Sequence, residues 1–352
     1  MTLEQTLKQI APLDSEAMAR AKYRWDSLSK PLHGLGDLED LLIQIAGIRG
    51  TARMDLRRKC VVVMCSDNGV VEEGISQTGQ EVTAIITESL SAGTSTVCHM
   101  ARAAGADVIP VDIGVSREVK GDRILRRKIA YGTKNLYKEP AMTREQAVRA
   151  IEVGIETAYW CKQQGYDIVA TGEMGIGNTT TTAAVVAALL HAPAELVTGR
   201  GSGLTTAGLE KKIRVVTEAL EKWQPDQHDP VDILSKVGGF DLCGLTGMFL
   251  GGAACGLPML IDGVISGAAA LCAVRMCETV REYLIPSHHT AEPAGVLIEQ
   301  ALDVHPLIDA HMALGEGTGA VCLFGPLDMA ASLYYNGNTF DDSNIEAYVP
   351  LV

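Results

Sequence analysis

Two glutamates in this chain sit inside glycine-rich loops that run straight into apolar helices: Glu173 in "TGEMGIGNTTTTAAVV" and Glu316 in "LGEGTGAVCLFG". A carboxylate so placed projects from a tight turn toward a cleft, and two such acids flanking one site suit general acid–base work. Apolar walls from Leu314 and Met312 would raise the pKa of Glu316 toward the range in which it takes a proton. Glu173 serves equally well as an acid that orders a loop or caps a helix. Around it, Gly172, Gly175 and Gly177 allow close backbone approach, and free amides at a helix N-terminus hold a phosphate without any charged side chain. Thr179 and Thr180 are expected to cap that helix. The spacing is neither GxGxxG nor GxxxxGK[ST], so neither a dinucleotide nor a Walker site is implied. The missing cation is sought in a second glycine-rich loop, "GRGSGLTTAGLEKK" at 199–212, where Lys211 or Lys212 could reach back to a bound phosphate.

Other candidates carry less. His288, His289 and Glu292 in "IPSHHTAEPAG" are close in sequence, but adjacent histidines diverge on most backbones and no third ligand has suitable spacing; hydrogen bonding to a ligand or a neighbouring subunit is expected instead of metal. No GxSxG elbow is present, and Cys65 inside an apolar run reads as a buried structural thiol.

The elements that must position these residues follow from the texture of the chain. Apolar runs at 60–69, 106–115, 166–173, 231–240 and 257–263 are read as strands, alternating with longer helical stretches such as 80–104. That alternation predicts an α/β fold with a parallel sheet covered on both faces, whose ligands gather at the carboxyl ends of the strands. Residues 1–55 read as helical, with Asp14 as an N-cap, a break at Pro31 and a restart after Gly36; residues after 296 read as mainly helical. The apolar stretch 244–274 is split by Pro258 and the "IDG" turn, predicting helix, short strand and helix in place of a membrane span. With a formal charge of −13 and no basic run longer than "RRK", nucleic acid is not an expected partner. Nine cysteines, an odd number without a CxxC pair, point to a reducing cytoplasm, and the N-terminus lacks the pattern of a signal peptide.

In this order, the segments "LSKPLHGLGDLE", "DNGVVEEGISQTGQEVT", "GEMGIGNTTT", "GRGSGL", "VGGFD", "LIDGVISGAAAL", "SHHTAEPAG" and "LGEGTGA" resemble the nicotinate mononucleotide:5,6-dimethylbenzimidazole phosphoribosyltransferase family across nearly the whole chain. The resemblance implies a Rossmann-like parallel-sheet large domain (56–295) flanked by helices. A smaller helical domain would be built from residues 1–55 and 296–352. It further implies that Gly175, Ile176, Gly201, Ser202, Gly203 and Lys212 hold the 5′-phosphate. Glu316 would be the general base, with Glu173 stabilising charge or ordering water. Ser76 and Leu314 would line the pocket of the aromatic base, and Ser287 and Thr290 would lie near the nicotinate. No cofactor or metal is implied. The expected partners are the two small substrates and a second chain, giving a dimer that is homotypic or formed with a homologue.

The sequence departs from the family pattern at Asn68 in place of histidine, at Thr205-Thr206 in place of an acidic pair, at Ala313 in place of arginine, at "KPLHGLG", and at "SQTGQEVT". These changes edge the base pocket and leave open a phenol or p-cresol acceptor, used by relatives made of two homologous chains of which one is catalytic. A non-catalytic, nucleotide-binding partner chain is a further alternative, which the retained Glu316 disfavours. A nicotinamide-dependent oxidoreductase is disfavoured by the absence of GxGxxG.

Overall fold

The run "KCVVVMCS" has no polar alternation because the strand it forms, β1 (Lys59–Ser66), is buried along its entire length in the middle of a sheet. The computed structural model describes residues 1–201 and 203–348. Strands β1, β2 (Ala106–Gly114), β3 (Leu125–Arg126), β4 (Ile168–Met174), β5 (Met259–Ile261) and β6 (Leu284–Pro286) form one parallel sheet in the order β3-β2-β1-β4-β5-β6. A small parallel pair, β7 (His288–Thr290) with β8 (Ile308–Met312), stands apart from it. The large sheet therefore reverses its winding between β1 and β4, and a crevice opens outside the carboxyl ends of those strands.

The apolar stretch 244–274 resolves as expected into the helix Phe240–Cys255, β5, and the helix Val264–Met276. Among the described residues no helix is long and apolar enough to cross a membrane. The first of these helices lies against β1, β2, β4 and β5 and packs on the helix Arg144–Gln163. Glycines let these two backbones touch: a Cβ added at Gly247 would fall 1.9 Å from the carbonyl oxygen of Ile151.

The segment 231–240, read from sequence as a strand, is instead the helix Pro230–Val237. Asp229 caps it, its Oδ1 accepting from the amides of Val231 (3.0 Å) and Asp232 (3.2 Å), and Pro230 occupies the first helical position. In the region after 296, read as mainly helical, the short β8 lies between the helices Ala294–Leu302 and Thr318–Asn336. At the N-terminal end the helices Leu3–Leu7, Ser15–Ser27 and Asp37–Arg49 form as expected, with Asp14 Oδ1 accepting from the Ala17 amide at 2.8 Å. The two ends of the chain meet: Arg24 Nε donates to the Tyr334 carbonyl at 2.9 Å, and the Trp25 and Tyr334 rings lie edge to face at 5.3 Å.

Candidate active site

At the reversal of the sheet, the ends of β4 and β5 and the loop before the last helix enclose a cleft of roughly 230 Å³. One wall is the loop after β4. Gly177 (φ +92°) caps the helix Asn178–Leu190, so Thr179 and Thr180, expected as caps, lie inside its first turn. The sequence hid this because a left-handed glycine can end a loop where a hydroxyl would otherwise do so.

Lys212 comes from the helix Thr206–Trp223 and is 1% exposed. Its Nζ donates to Thr179 Oγ1 at 2.7 Å and to the Gly199 carbonyl at 3.1 Å, pinning the first glycine-rich loop to the second. Burial pulls its pKa down to about 8, while the charge of Glu292 acts in the opposite direction. Gly175, Ile176 and Gly201 line the same cleft. Gly203 is tied to it from outside, its carbonyl accepting from Gln77 Nε2. The Ile176 amide already donates to Thr83 Oγ1 at 3.1 Å, so an anion would compete with that hydroxyl. Ser202 lies outside the described residues.

The opposite wall carries Glu316. Gly315 (φ +89°), Glu316 (φ +60°) and Gly317 (φ +89°) are three consecutive left-handed residues, and a side chain in that region costs about 1–2 kcal/mol. The surroundings fix this conformation. Asp262, after β5, accepts from the Gly317 amide at 3.3 Å and the Ala320 amide at 2.9 Å, capping the helix Thr318–Asn336. Gly172 in β4 has no Cβ because one would lie 2.6 Å from the Glu316 carbonyl oxygen. Glu316 lines the cleft, and its carboxylate accepts from the Val97 amide, at the start of the helix Thr96–Ala103, at 3.1 Å.

Glu173 closes the floor. It is 7% exposed, and its Oε2 accepts from Asn178 Nδ2, which is also 3.2 Å from Asp241 Oδ2. Burial first, and the neighbouring Asp241 second, push the Glu173 carboxyl up to about 8; burial pushes Asp241 up to about 6. Asp262 is also raised, chiefly by burial. Asp262, which lines the cleft, and Asp241, buried behind it, were not singled out from sequence, although both follow glycine or apolar runs ("GGFD", "LIDG") at the mouths of buried elements.

A phosphoribosyltransferase family model matches residues 10–345. A nicotinate-nucleotide–dimethylbenzimidazole phosphoribosyltransferase of Acetivibrio thermocellus is 47% identical over 350 residues, covering 99% of this chain and all of that one. The chain belongs to this phosphoribosyltransferase family. Another relative of that name, from Clostridium acetobutylicum, is 44% identical over the full length of both chains. The crystal structure of CobT from Thermus thermophilus superposes with a TM-score of 0.89 at 39% identity, over 95% of this chain and all of that one.

Within this phosphoribosyltransferase, the remaining expected site residues divide. Ser76 and Leu314 line the cleft, Leu314 at its lip and 54% exposed; Thr290 lines it as well. Ser287 does not. It is buried behind the cleft, its hydroxyl donating to the Ile261 carbonyl at 2.6 Å, because β6 must be tied to β5 there. The two histidines diverge: His288 is buried against Ser287 Oγ (3.0 Å), whereas His289 is half-exposed and meets Glu299 at 2.9 Å. Of the departures from the family pattern, Ala313 lines the cleft and Thr205 caps the helix Thr206–Trp223 by accepting from the Gly208 amide at 3.1 Å. His33 is exposed and pairs with Asp40. Asn68 is fully buried below the first loop.

Proposed function

We propose that this phosphoribosyltransferase moves the phosphoribosyl group of nicotinate mononucleotide onto an aromatic base, 5,6-dimethylbenzimidazole, in building the nucleotide loop of cobamides. One observation carries the reading: a single cleft holds a buried lysine locked between two glycine-rich loops and, on its other wall, Glu316. The loops suit a 5′-phosphate, with Gly175, Ile176, Gly201, Ser202, Gly203 and Lys212 as its ligands. Thr290 then lies on the nicotinate side, and Ser76 and Leu314 on the side of the incoming base.

In the reaction, the ring nitrogen of the base attacks C1′ while the C1′–N bond to nicotinate breaks. The leaving pyridinium nitrogen takes the bonding electrons and departs neutral. The proton lost by the attacking base passes to Glu316. Attack opposite the leaving group inverts the β configuration to α, and the transition state is oxocarbenium-like. Product analysis after incubation with nicotinate mononucleotide and dimethylbenzimidazole tests the proposal. The α-riboside 5′-phosphate and nicotinate should appear in equal amounts, and Glu316→Gln should lower turnover by about 10²- to 10⁴-fold. Absence of both products with the wild-type protein refutes the reading.

Ala313 at the cleft, where the family pattern has arginine, leaves a second acceptor class to be tested. Phenol and p-cresol belong in the same assay, alone and with a homologous chain added. In this reading residues 1–55 and 296–352 form the smaller domain around the catalytic loop, and the exposed Leu314 marks an edge that a second chain completes. Nine unpaired thiols suit a reducing cytoplasm.

A further inference from the structure

We propose that Asp241 is a positioning residue which, through Asn178, holds Glu173 as a neutral, hydrogen-bond-donating acid in the cleft, leaving Glu316 as the proton acceptor. The inference rests on the proposed reaction for its consequence and on the geometry of the free protein for its substance.

Asp241 is fully buried at the start of the helix Phe240–Cys255 and is not itself part of the cleft lining. Its carboxylate is fixed from its own helix by the Leu242 amide at 3.0 Å. It shares the Nδ2 donor of Asn178 with Glu173, so one amide bridges two carboxyl groups. Two buried carboxyls drawn to one donor cannot both ionise at low cost, and the pair retains a proton.

The groups that face Glu173 from the packed elements favour the same outcome. They are Asp241 from the helix, Asp262 from the loop after β5 and Glu316 from the opposite loop; the buried Cys65 thiol of β1 stays neutral and adds no charge. Lys212 across the cleft is held by Thr179 and Gly199, and His288 by Ser287. The proton resides on Glu173, because Asp241 accepts from the Leu242 amide as well as from Asn178 whereas, among the described residues, Glu173 accepts from Asn178 alone, so the charge is better held on Asp241. Glu173 Oε1 lies where a Cβ on Gly315 would be 2.6 Å away, so the free end of the acid faces the residue next to Glu316. A neutral Glu173 spares Glu316 a second anion in the same cleft, and Glu316 is then the carboxylate able to accept the proton released by the base. No further proton is consumed, because Glu173 keeps its own.

Carboxyl ¹³C NMR of the free protein, carrying ¹³C-labelled glutamate and with the Glu173 resonance identified by its loss in Glu173→Gln, tests this without reference to turnover. The Glu173 midpoint should lie near 8 in the wild type. In Asp241→Asn, which keeps the shape and removes the charge, it should fall by roughly one pH unit or more. With nicotinate mononucleotide and base, Asp241→Asn should lower kcat while the KM for the nucleotide changes little. A wild-type midpoint below 6, or an unmoved midpoint in Asp241→Asn, overturns the proposal. If the NMR shifts appear but the protein turns over no substrate, the proposed reaction fails and the carboxyl pair stands.

Discussion

In the proposed reading, where Lys212 holds the 5′-phosphate, the strength of nucleotide binding depends on pH in a direction set by the burial of that lysine. In the empty cleft its pKa is about 8, because burial disfavours the charge more than Glu292 restores it. A phosphate dianion between the two loops favours the charged form and raises the pKa of the bound state above the free value. Above pH 8 the ligand must therefore bring a proton with it, and affinity falls as pH rises. At pH 7 about nine in ten of the free lysines are charged, and at pH 9 about one in eleven, a tenfold weakening or about 1.4 kcal/mol. Isothermal titration of nicotinate mononucleotide between pH 7 and pH 9 measures this, with nicotinate riboside as the control that lacks the phosphate. Lys212→Met should weaken the nucleotide roughly 10- to 100-fold at pH 7, the worth of a lost charge-assisted bond, and flatten the profile. A wild-type affinity constant to pH 9, or an equal loss for the riboside, would refute the argument.

Three further outcomes follow from single contacts. Gly247→Ala forces a Cβ to within 1.9 Å of the Ile151 carbonyl oxygen and should cost about 3 kcal/mol, read as a lower denaturant midpoint. Asp262→Ala removes the acceptor of the Gly317 and Ala320 amides; stability should fall by about 1–2 kcal/mol, and kcat should drop while the KM for the nucleotide changes little. Thr83→Val strips the Ile176 amide of its partner in the empty protein at a cost of about 1–3 kcal/mol, and a bound phosphate should recover part of it, giving a larger ligand-induced thermal shift than in the wild type.

What could be read from the sequence was set by how local each signal is. The strands β1, β2, β4 and β5 announce themselves as apolar runs, and the second glycine-rich loop leads directly to Lys211 and Lys212, between which the family resemblance chooses Lys212. The segment 231–240 misled because "VDILSKV" also fits an apolar run; the decisive marks were Asp229 and Pro230 just before it. β3, at two residues, and the short β6, β7 and β8 are too brief to carry a period. Asp241 and Asp262 escaped notice because their roles depend on partners far along the chain: Asn178 is 63 residues from Asp241, and Gly317 is 55 from Asp262. The resemblance places Ser287 near the nicotinate together with Thr290, while the chain geometry just after β6 turns its hydroxyl to the Ile261 carbonyl.

The bond from the Val97 amide to the Glu316 carboxylate spans 219 positions. During synthesis both glycine-rich loops leave the ribosome more than a hundred residues before that glutamate does. A chain halted in between lacks Glu316 and also the last helix, on which Arg24 and Trp25 of the N-terminal end pack. Turnover would therefore report only on chains finished through the last long helix.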